Sequence, residues 1–161
     1  MIKFVTAAAS VAWLLSPLAV SAQTPPAYGP PINLESAKKA IAAAESEAKK
    51  NGWPMAIAVV DTAGQLLAFE RMDNTQVASL DIAIAKAKTA NNLKRPTKAL
   101  QDVIAKGGDS LRLLAVKDVL PIEGGVPIMV DGRVVGAIGV SGMASNQDAE
   151  CAAAGAAAAA K

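Results

Sequence analysis

Helical periodicity marks the first element of the chain. Between residues 33 and 52 the apolar side chains recur every three or four positions, and Glu and Lys fill the remaining positions. This spacing predicts an amphipathic surface helix. Asn33 is a typical N-terminal cap, and Gly52 is a typical glycine at a helix end.

Two later stretches have the pattern of β-hairpins. Residues 55–60 and 65–71 are short β-like runs on either side of the turn DTAG, and the first run is so apolar that we expect both of its faces to be covered. The stretch VPIMVDGRVVGAIGVSG predicts a second hairpin that turns at Asp131-Gly132, a favoured type I′ pair. The glycines at positions 132, 136, 139 and 142 indicate close backbone approach or bulges.

Helical patterns separate these hairpins. They cover residues 75–93, a shorter stretch that begins around Pro96 and stops at Gly107-Gly108, and a closing helix from about Asn146 into the alanine tail. The stretch SLRLLAVKDVLPIEGG fits either a strand or a loop. The order α, ββ, α, α, (β), ββ, α predicts an α+β domain, in which helices pack on an antiparallel sheet.

The helix at residues 75–93 carries charges whose surroundings are not obvious. At about 100° per residue, Val77, Leu80, Ile84, Ala87 and Asn91 share one side. Asp81 and Lys88 fall inside that arc, and Lys86 points roughly opposite. A charge on an apolar stripe needs a partner, a ligand or water.

Three interpretations of Asp81 remain open. It caps or pairs with a group of its own domain, it meets a cation across a subunit interface, or it lies with Lys88 at the rim of a ligand cleft. The long apolar arc favours an interface combined with a cleft over simple burial.

The N-terminal residues have the composition of a targeting segment. Lys3 is followed by an apolar stretch to Val20 and by the small residues Ser21 and Ala22. This predicts a signal peptide at residues 1–22, with a membrane anchor as the weaker alternative. Residues 23–32 form a Pro-rich lead-in that we expect to be poorly ordered, and 33–161 form a single domain. We expect a periplasmic or secreted protein with no membrane insertion after cleavage.

Composition excludes several classes of function. The 161 residues contain no histidine, which excludes a Ser-His-Asp triad and a His metal site. Cys151 is the single cysteine, so the chain has no internal disulfide, and a buried thiol in an Ala-rich helix is the simplest interpretation. A net charge of +2 and 3% aromatic residues give no indication of nucleic-acid binding. The glycines at 136–142 lie inside a strand, where they do not form a phosphate site.

Four segments carry a resemblance to a known family. VVDTAGQLLAFERMDN, SLDIAIAKAKTA, GGVPIMVDGRVVGAIGVSG and NQDAECAAAG resemble, in order and spacing, the GlcG/HbpS-like family, which is similar to the C-terminal domain of PduO-type proteins. The resemblance implies a profilin- or PAS-like antiparallel sheet of about five strands flanked by helices, and homo-oligomers from dimers to octamers. It also implies an exported haem- or tetrapyrrole-binding protein, with a role in haem or iron handling or in redox sensing.

The resemblance also implies a site. Asp81, Lys86, Thr89 and Thr97 match the helix and turn that line the family's pocket, with Thr97 near haem iron or a propionate. Lys86, Lys88 and Arg95 could pair with propionates. Without histidine, the axial haem ligands are limited to the weak candidates Met72 and Met143, with Cys151 and Tyr28. Core filling is the competing interpretation of both methionines.

Two further functions compete with haem binding. In an enzyme or accessory protein for a small hydroxy acid, Asp81 would be a base and Lys86 or Lys88 would hold the carboxylate. Groups fully satisfied within the protein would exclude that role. A non-catalytic oligomeric module would instead leave an exposed apolar or charged patch for a protein partner.

Overall fold

The two predicted hairpins form one antiparallel sheet. In the computed structural model, which describes residues 24–160, β1 (Ala56–Asp61) pairs with β2 (Leu66–Arg71), and β3 (Gly125–Val130) pairs with β4 (Arg133–Ser141). β1 also pairs with β4, so the strand order is β2-β1-β4-β3. The α+β class is confirmed, with four strands in the described residues where about five were expected. The undecided stretch forms a 3₁₀ helix (Gly108–Ala115) and a loop, and not a strand.

Four α-helices cover the two faces of this sheet. They are α1 (Leu34–Asn51), α2 (Ser79–Leu93), α3 (Thr97–Ile104) and α4 (Ser145–Ala159). α1 and α4 pack together on one face, and α2 packs on the other face against β1, β3 and β4. The Asn33 side chain accepts a hydrogen bond from the Ser36 N–H, and Gly52 ends α1 in the left-handed conformation, so both predicted helix signals are confirmed.

The two sides of the sheet are packed differently. Towards α1 and α4 the sheet presents branched side chains, including Ile57, Val59 and Ile138. Towards α2 the buried layer is mostly alanine, from Ala56, Ala58 and Ala137 of the sheet and Ala83, Ala87 and Ala90 of the helix. Because these side chains are small, the α2 backbone lies close to β4. A Cβ added at Gly139 would clash with backbone atoms of Ala83 and Ala87, as the glycine spacing indicated.

The β3–β4 turn has the predicted chemistry. Asp131 and Gly132 have φ angles of 49° and 72°, and a type I′ turn requires both to be positive. All of β1 up to Val60 is buried, which confirms that both faces of this strand are covered.

The residues before α1 lie partly on the sheet. The predicted signal peptide falls outside the described residues. The expectation of a poorly ordered lead-in is wrong for residues 27–32, because Val134 exchanges backbone hydrogen bonds with Ala27 and Gly29, and the Ile32 N–H donates to Val135 O at 2.7 Å. None of the helices in residues 24–160 has the length and apolarity that a membrane span requires.

Candidate functional site

The buried face of α2 differs from the predicted arc. Val77 is 79% exposed, whereas Lys86, predicted to point outwards, is 1% exposed. The helix packs on the sheet through its alanines at 83, 87 and 90. Lys86 lies next to these alanines and therefore also faces the sheet. Asp81 and Lys88 share a face, as predicted, but on the outer side of the helix, where Asp81 is exposed.

Lys86 has two hydrogen-bond partners inside the protein. Its Nζ lies 2.7 Å from Asp148 Oδ2 of α4 and donates to Val140 O of β4 at 3.0 Å. The other carboxylate oxygen, Asp148 Oδ1, accepts from the Met143 N–H. The two side chains are 1% and 3% exposed, so this is a buried ion pair that connects α2, β4 and α4.

The surroundings of the pair leave little free space. Burial raises the pKa of the Asp148 carboxyl, and Lys86 and the nearby backbone N–H groups oppose that rise. Gly124, with a φ of 123°, passes directly over the pair, where an added Cβ would lie 2.7 Å from Lys86 Nζ. Lys86 is therefore engaged inside the protein, whereas the resemblance placed it at the ligand.

The two predicted threonines are also occupied internally. Both are buried, at 1% exposure for Thr89 and 0% for Thr97. Thr89 Oγ1 accepts the Leu120 N–H at 2.8 Å, and Thr97 Oγ1 accepts the Gly125 N–H at 2.9 Å. The chain that returns from the 3₁₀ helix to β3 is here called the return segment (residues 116–124). Thr89 binds within this segment, and Thr97 binds the residue that follows it, Gly125.

Asp81 and Lys88 border a pocket of about 550 Å³ between three parts of the fold. The lining residues are Ala63, Gly64 and Gln65 of the β1–β2 turn, Asp81, Ile84, Ala85, Lys88 and Asn92 of α2, and Asp118, Val119 and Leu120 of the return segment. We call this the α2 pocket. Its lining is mixed: Ile84, Val119 and Leu120 are aliphatic, Asp81 and Asp118 are acidic, and Lys88 is the cation. Its volume is typical of a small-molecule site.

A second pocket of similar volume lies on another part of the surface. It measures about 570 Å³ and lies between residues 30–36 and the β3–β4 hairpin, with Arg133 as its cation. It contains none of the predicted site residues. Arg95, which was predicted to face the ligand, lines neither pocket; it is exposed, and its Nε donates to Leu93 O.

The candidate haem ligands do not line the α2 pocket. Met72 packs against the core beside α1, and Met143 is 43% exposed. The Tyr28 hydroxyl donates to Asn91 O, and Lys94 Nζ lies 4.3 Å from the Tyr28 ring centroid. Burial raises the pKa of the Cys151 thiol to about 12, which keeps it from acting as a thiolate. Within residues 24–160 no cluster of three or more acidic, His or Cys side chains could hold a metal ion.

Sequence reasoning missed two parts of this arrangement. Asp148 was not recognised as the partner of Lys86, although an acid in the first turn of an alanine-rich helix is an available signal. The pocket wall at Val119 and Leu120 was missed because the undecided stretch had no assigned structure.

Comparisons with known proteins agree with the resemblance seen in the sequence. A family model described as haem degrading protein HbpS-like matches residues 32–157. Protein GlcG of Escherichia coli (strain K12) is 40% identical over 110 residues, which are 68% of this chain and 81% of GlcG.

Two solved structures share the fold. A double mutant of Streptomyces reticuli HbpS is 34% identical with a TM-score of 0.73, covering 94% of this chain and 97% of that one. A PduOC:heme complex is 28% identical, also with a TM-score of 0.73, covering 80% of this chain and 94% of that one.

Proposed function

The chain belongs to the HbpS-like family, and on that premise we propose that it binds haem or a similar tetrapyrrole in the α2 pocket. The PduOC protein that shares its fold is in complex with haem. In this chain the supporting observation is the α2 pocket itself, which combines an aliphatic wall at Ile84, Val119 and Leu120 with Lys88 at its edge.

The pocket offers a flat ligand an aliphatic surface, and Lys88 is its positive charge beside the carboxylates of Asp81 and Asp118. Burial of the macrocycle against the aliphatic wall would supply most of the binding free energy. Lys88 would hold a propionate through a charge-assisted hydrogen bond. Bound haem would supply an iron centre, but no His, Cys, Met or Tyr lines the α2 pocket. We therefore expect haem held by enclosure and charge, with modest affinity.

The proposal is limited to binding. The alternative of an enzyme for a small hydroxy acid is less well supported, because Lys86 is fully paired with Asp148 and Asp81 is exposed. General bases usually lie in a desolvated setting. The observation that still supports an enzyme is the presence of Asp81 and Lys88 at the edge of the pocket.

The setting of the protein is part of the same proposal. The N-terminal sequence supports export to the periplasm or the medium, where haem or iron handling, or redox sensing, would take place. Exposed apolar side chains support assembly into a homo-oligomer of two to eight chains. They include Val77, Leu111, Leu114 and Val116.

A hemin titration of the chain without residues 1–22, followed by absorbance, tests the proposal. We expect a saturable, shifted Soret band. Lys88→Ala should weaken binding about fivefold. This corresponds to the loss of about 1 kcal/mol, which we expect for a charged hydrogen bond that is partly exposed to solvent. Lys39→Ala, on the opposite side of the sheet, is the matched control and should stay within about twofold of the wild type.

The titration has two contrary outcomes. Weakening by Arg133→Ala and not by Lys88→Ala would move the ligand to the second pocket. A spectrum identical to hemin in buffer would exclude haem as the ligand.

A further inference from the structure

Thr89 lies directly behind one wall of the α2 pocket. We propose that Thr89 is a positioning residue: its hydroxyl fixes Leu120, and through Leu120 the shape of the pocket, without touching the ligand. This inference rests on the proposed function.

The wall that Thr89 holds has little support of its own. The return segment has no regular secondary structure, and Asp118 has a φ of 60°. The 3₁₀ helix that precedes it contains no buried residue. The wall therefore depends on hydrogen bonds to the body of the protein for its position.

One such bond lies at the pocket. Asp118, Val119 and Leu120 line the pocket. Among the hydrogen bonds of residues 24–160, the bond from the Leu120 N–H to Thr89 Oγ1, at 2.8 Å, is the one that joins these three residues to α2. Thr89 itself does not line the pocket.

The position of Thr89 on α2 connects the hydrogen bond from Leu120 to ligand binding. Lys88, the cation of the pocket, is its neighbour in the chain. A single helical turn thus presents Lys88 to the ligand and anchors Leu120 through Thr89. The distance between the cation and the aliphatic wall is set by this turn, so loss of the anchor should change how well a flat carboxylate-bearing ligand fits.

Thr97 provides a matched control inside the same chain. It is equally buried, and its hydroxyl accepts a similar hydrogen bond, at 2.9 Å, from the Gly125 N–H; the same hydroxyl also donates to Gly125 O at 3.4 Å. Gly125 begins β3 and does not line the pocket. Both threonines therefore stabilise the chain around the return segment, but the bond to Thr89 alone reaches the pocket wall.

The test compares Thr89→Val with Thr97→Val by hemin titration and urea unfolding, both on the chain without residues 1–22. We expect both variants to lose stability, with the loss in Thr97→Val at least as large, because its hydroxyl makes two hydrogen bonds and that of Thr89 makes one. Thr89→Val should weaken hemin binding about fivefold and move the Soret maximum, whereas Thr97→Val should stay within about twofold. Thr89→Ser, which keeps the hydroxyl, should restore both the affinity and the spectrum.

Equal hemin affinities in the two valine variants, or no recovery with Thr89→Ser, would overturn the role of Thr89 while leaving haem binding intact. No Soret shift in the wild type would overturn both proposals. If the added valine methyl prevents folding, Thr89→Ala and Thr97→Ala provide the same comparison without added bulk.

Discussion

Replacing Lys86 by Met should destabilise the fold strongly. The two side chains have similar length, but Met leaves the Asp148 carboxylate buried without its cation. Removing one member of a buried ion pair typically costs about 3–5 kcal/mol. Asp148 Oδ1 keeps its hydrogen bond from the Met143 N–H. We therefore expect a destabilisation at the lower end of this range, about 3 kcal/mol. For a chain of this size that corresponds to a fall in Tm on the order of 10 °C.

A double-mutant cycle measures the pair directly. Asp148→Asn keeps the shape and removes the charge, so the double variant Lys86→Met/Asp148→Asn should recover about 2 kcal/mol relative to Lys86→Met alone. The assay is urea unfolding at a fixed protein concentration, since assembly would add to the apparent stability. Lys98→Met is the matched control, because its ion pair with Asp102 is about half exposed. It should cost no more than about 1 kcal/mol.

The pH dependence gives a second readout of the same pair. Burial raises the pKa of Asp148 in the folded state, and loss of Lys86 should raise it further. A carboxyl with a raised folded pKa favours the fold at low pH, and this contribution is lost as the pH rises through the folded value. The deficit of Lys86→Met should therefore be largest at neutral pH and shrink towards pH 4. A cost equal to that of the control, or a deficit unchanged by pH, would refute a coupled buried pair.

Three other perturbations test separate parts of the fold. Gly139→Ala should cost about 1–3 kcal/mol in urea unfolding, because its methyl meets the α2 backbone. A cost below about 0.5 kcal/mol, the range of ordinary surface substitutions, would contradict the close packing. Burial and the neighbouring charge of Glu45 raise the pKa of Glu70. Glu70→Gln should therefore stabilise the protein by a few tenths of a kcal/mol at pH 7 and by nothing near pH 4, in unfolding curves at both values. Limited trypsin digestion with mass spectrometry should find the first cuts at Arg112 and Lys117, which are exposed in and just after the 3₁₀ helix; earlier cleavage inside α1 would contradict this order.

The elements that the sequence predicted correctly carry local signals. Asn33 and Gly52 delimit α1, and Asp131-Gly132 defines the second hairpin, because caps and tight turns depend on residues next to them in the chain. The alternation of hairpins and helices was enough for the α+β class. The stretch at 110–125 has no such signal: its leucines fit a strand as well as a loop, and its first part belongs to a 3₁₀ helix with no buried residue.

The orientation of α2 could not be predicted in the same way. The predicted arc ran from Val77 through Leu80 and Ile84 to Ala87 and Asn91. Ala87 and Asn91 are buried, but the helix packs through its alanines onto a sheet surface made of alanine and Gly139, and Val77 is exposed. At this interface size decides which face is buried, because only small side chains allow the backbones to approach. Hydrophobicity alone therefore gives a face that is only partly correct, and it gives the wrong position for Lys86.

The partner of Lys86 is also beyond what spacing in the sequence can show. Asp148 lies 62 positions further along the chain and on a helix that covers the opposite face of the sheet. The pair forms because Lys86 Nζ reaches β4 beside Val140, where α4 begins only a few residues later. Only the topology brings these two charges together.

The two lysines of α2 therefore have separate roles, although they stand two positions apart. Two residues along a helix correspond to a rotation of about 200°, so Lys86 points into the protein and Lys88 to the edge of the pocket. On the inner side, Lys86 and Thr89 hold α4, β4 and the return segment in place. On the outer side, Asp81 and Lys88 border the space that those anchored elements enclose. The alternation of inner and outer polar residues in DIAIAKAKT thus couples the stability of the fold to the shape of its pocket. On this account Lys86→Met should change stability far more than ligand affinity, and Lys88→Ala should do the reverse.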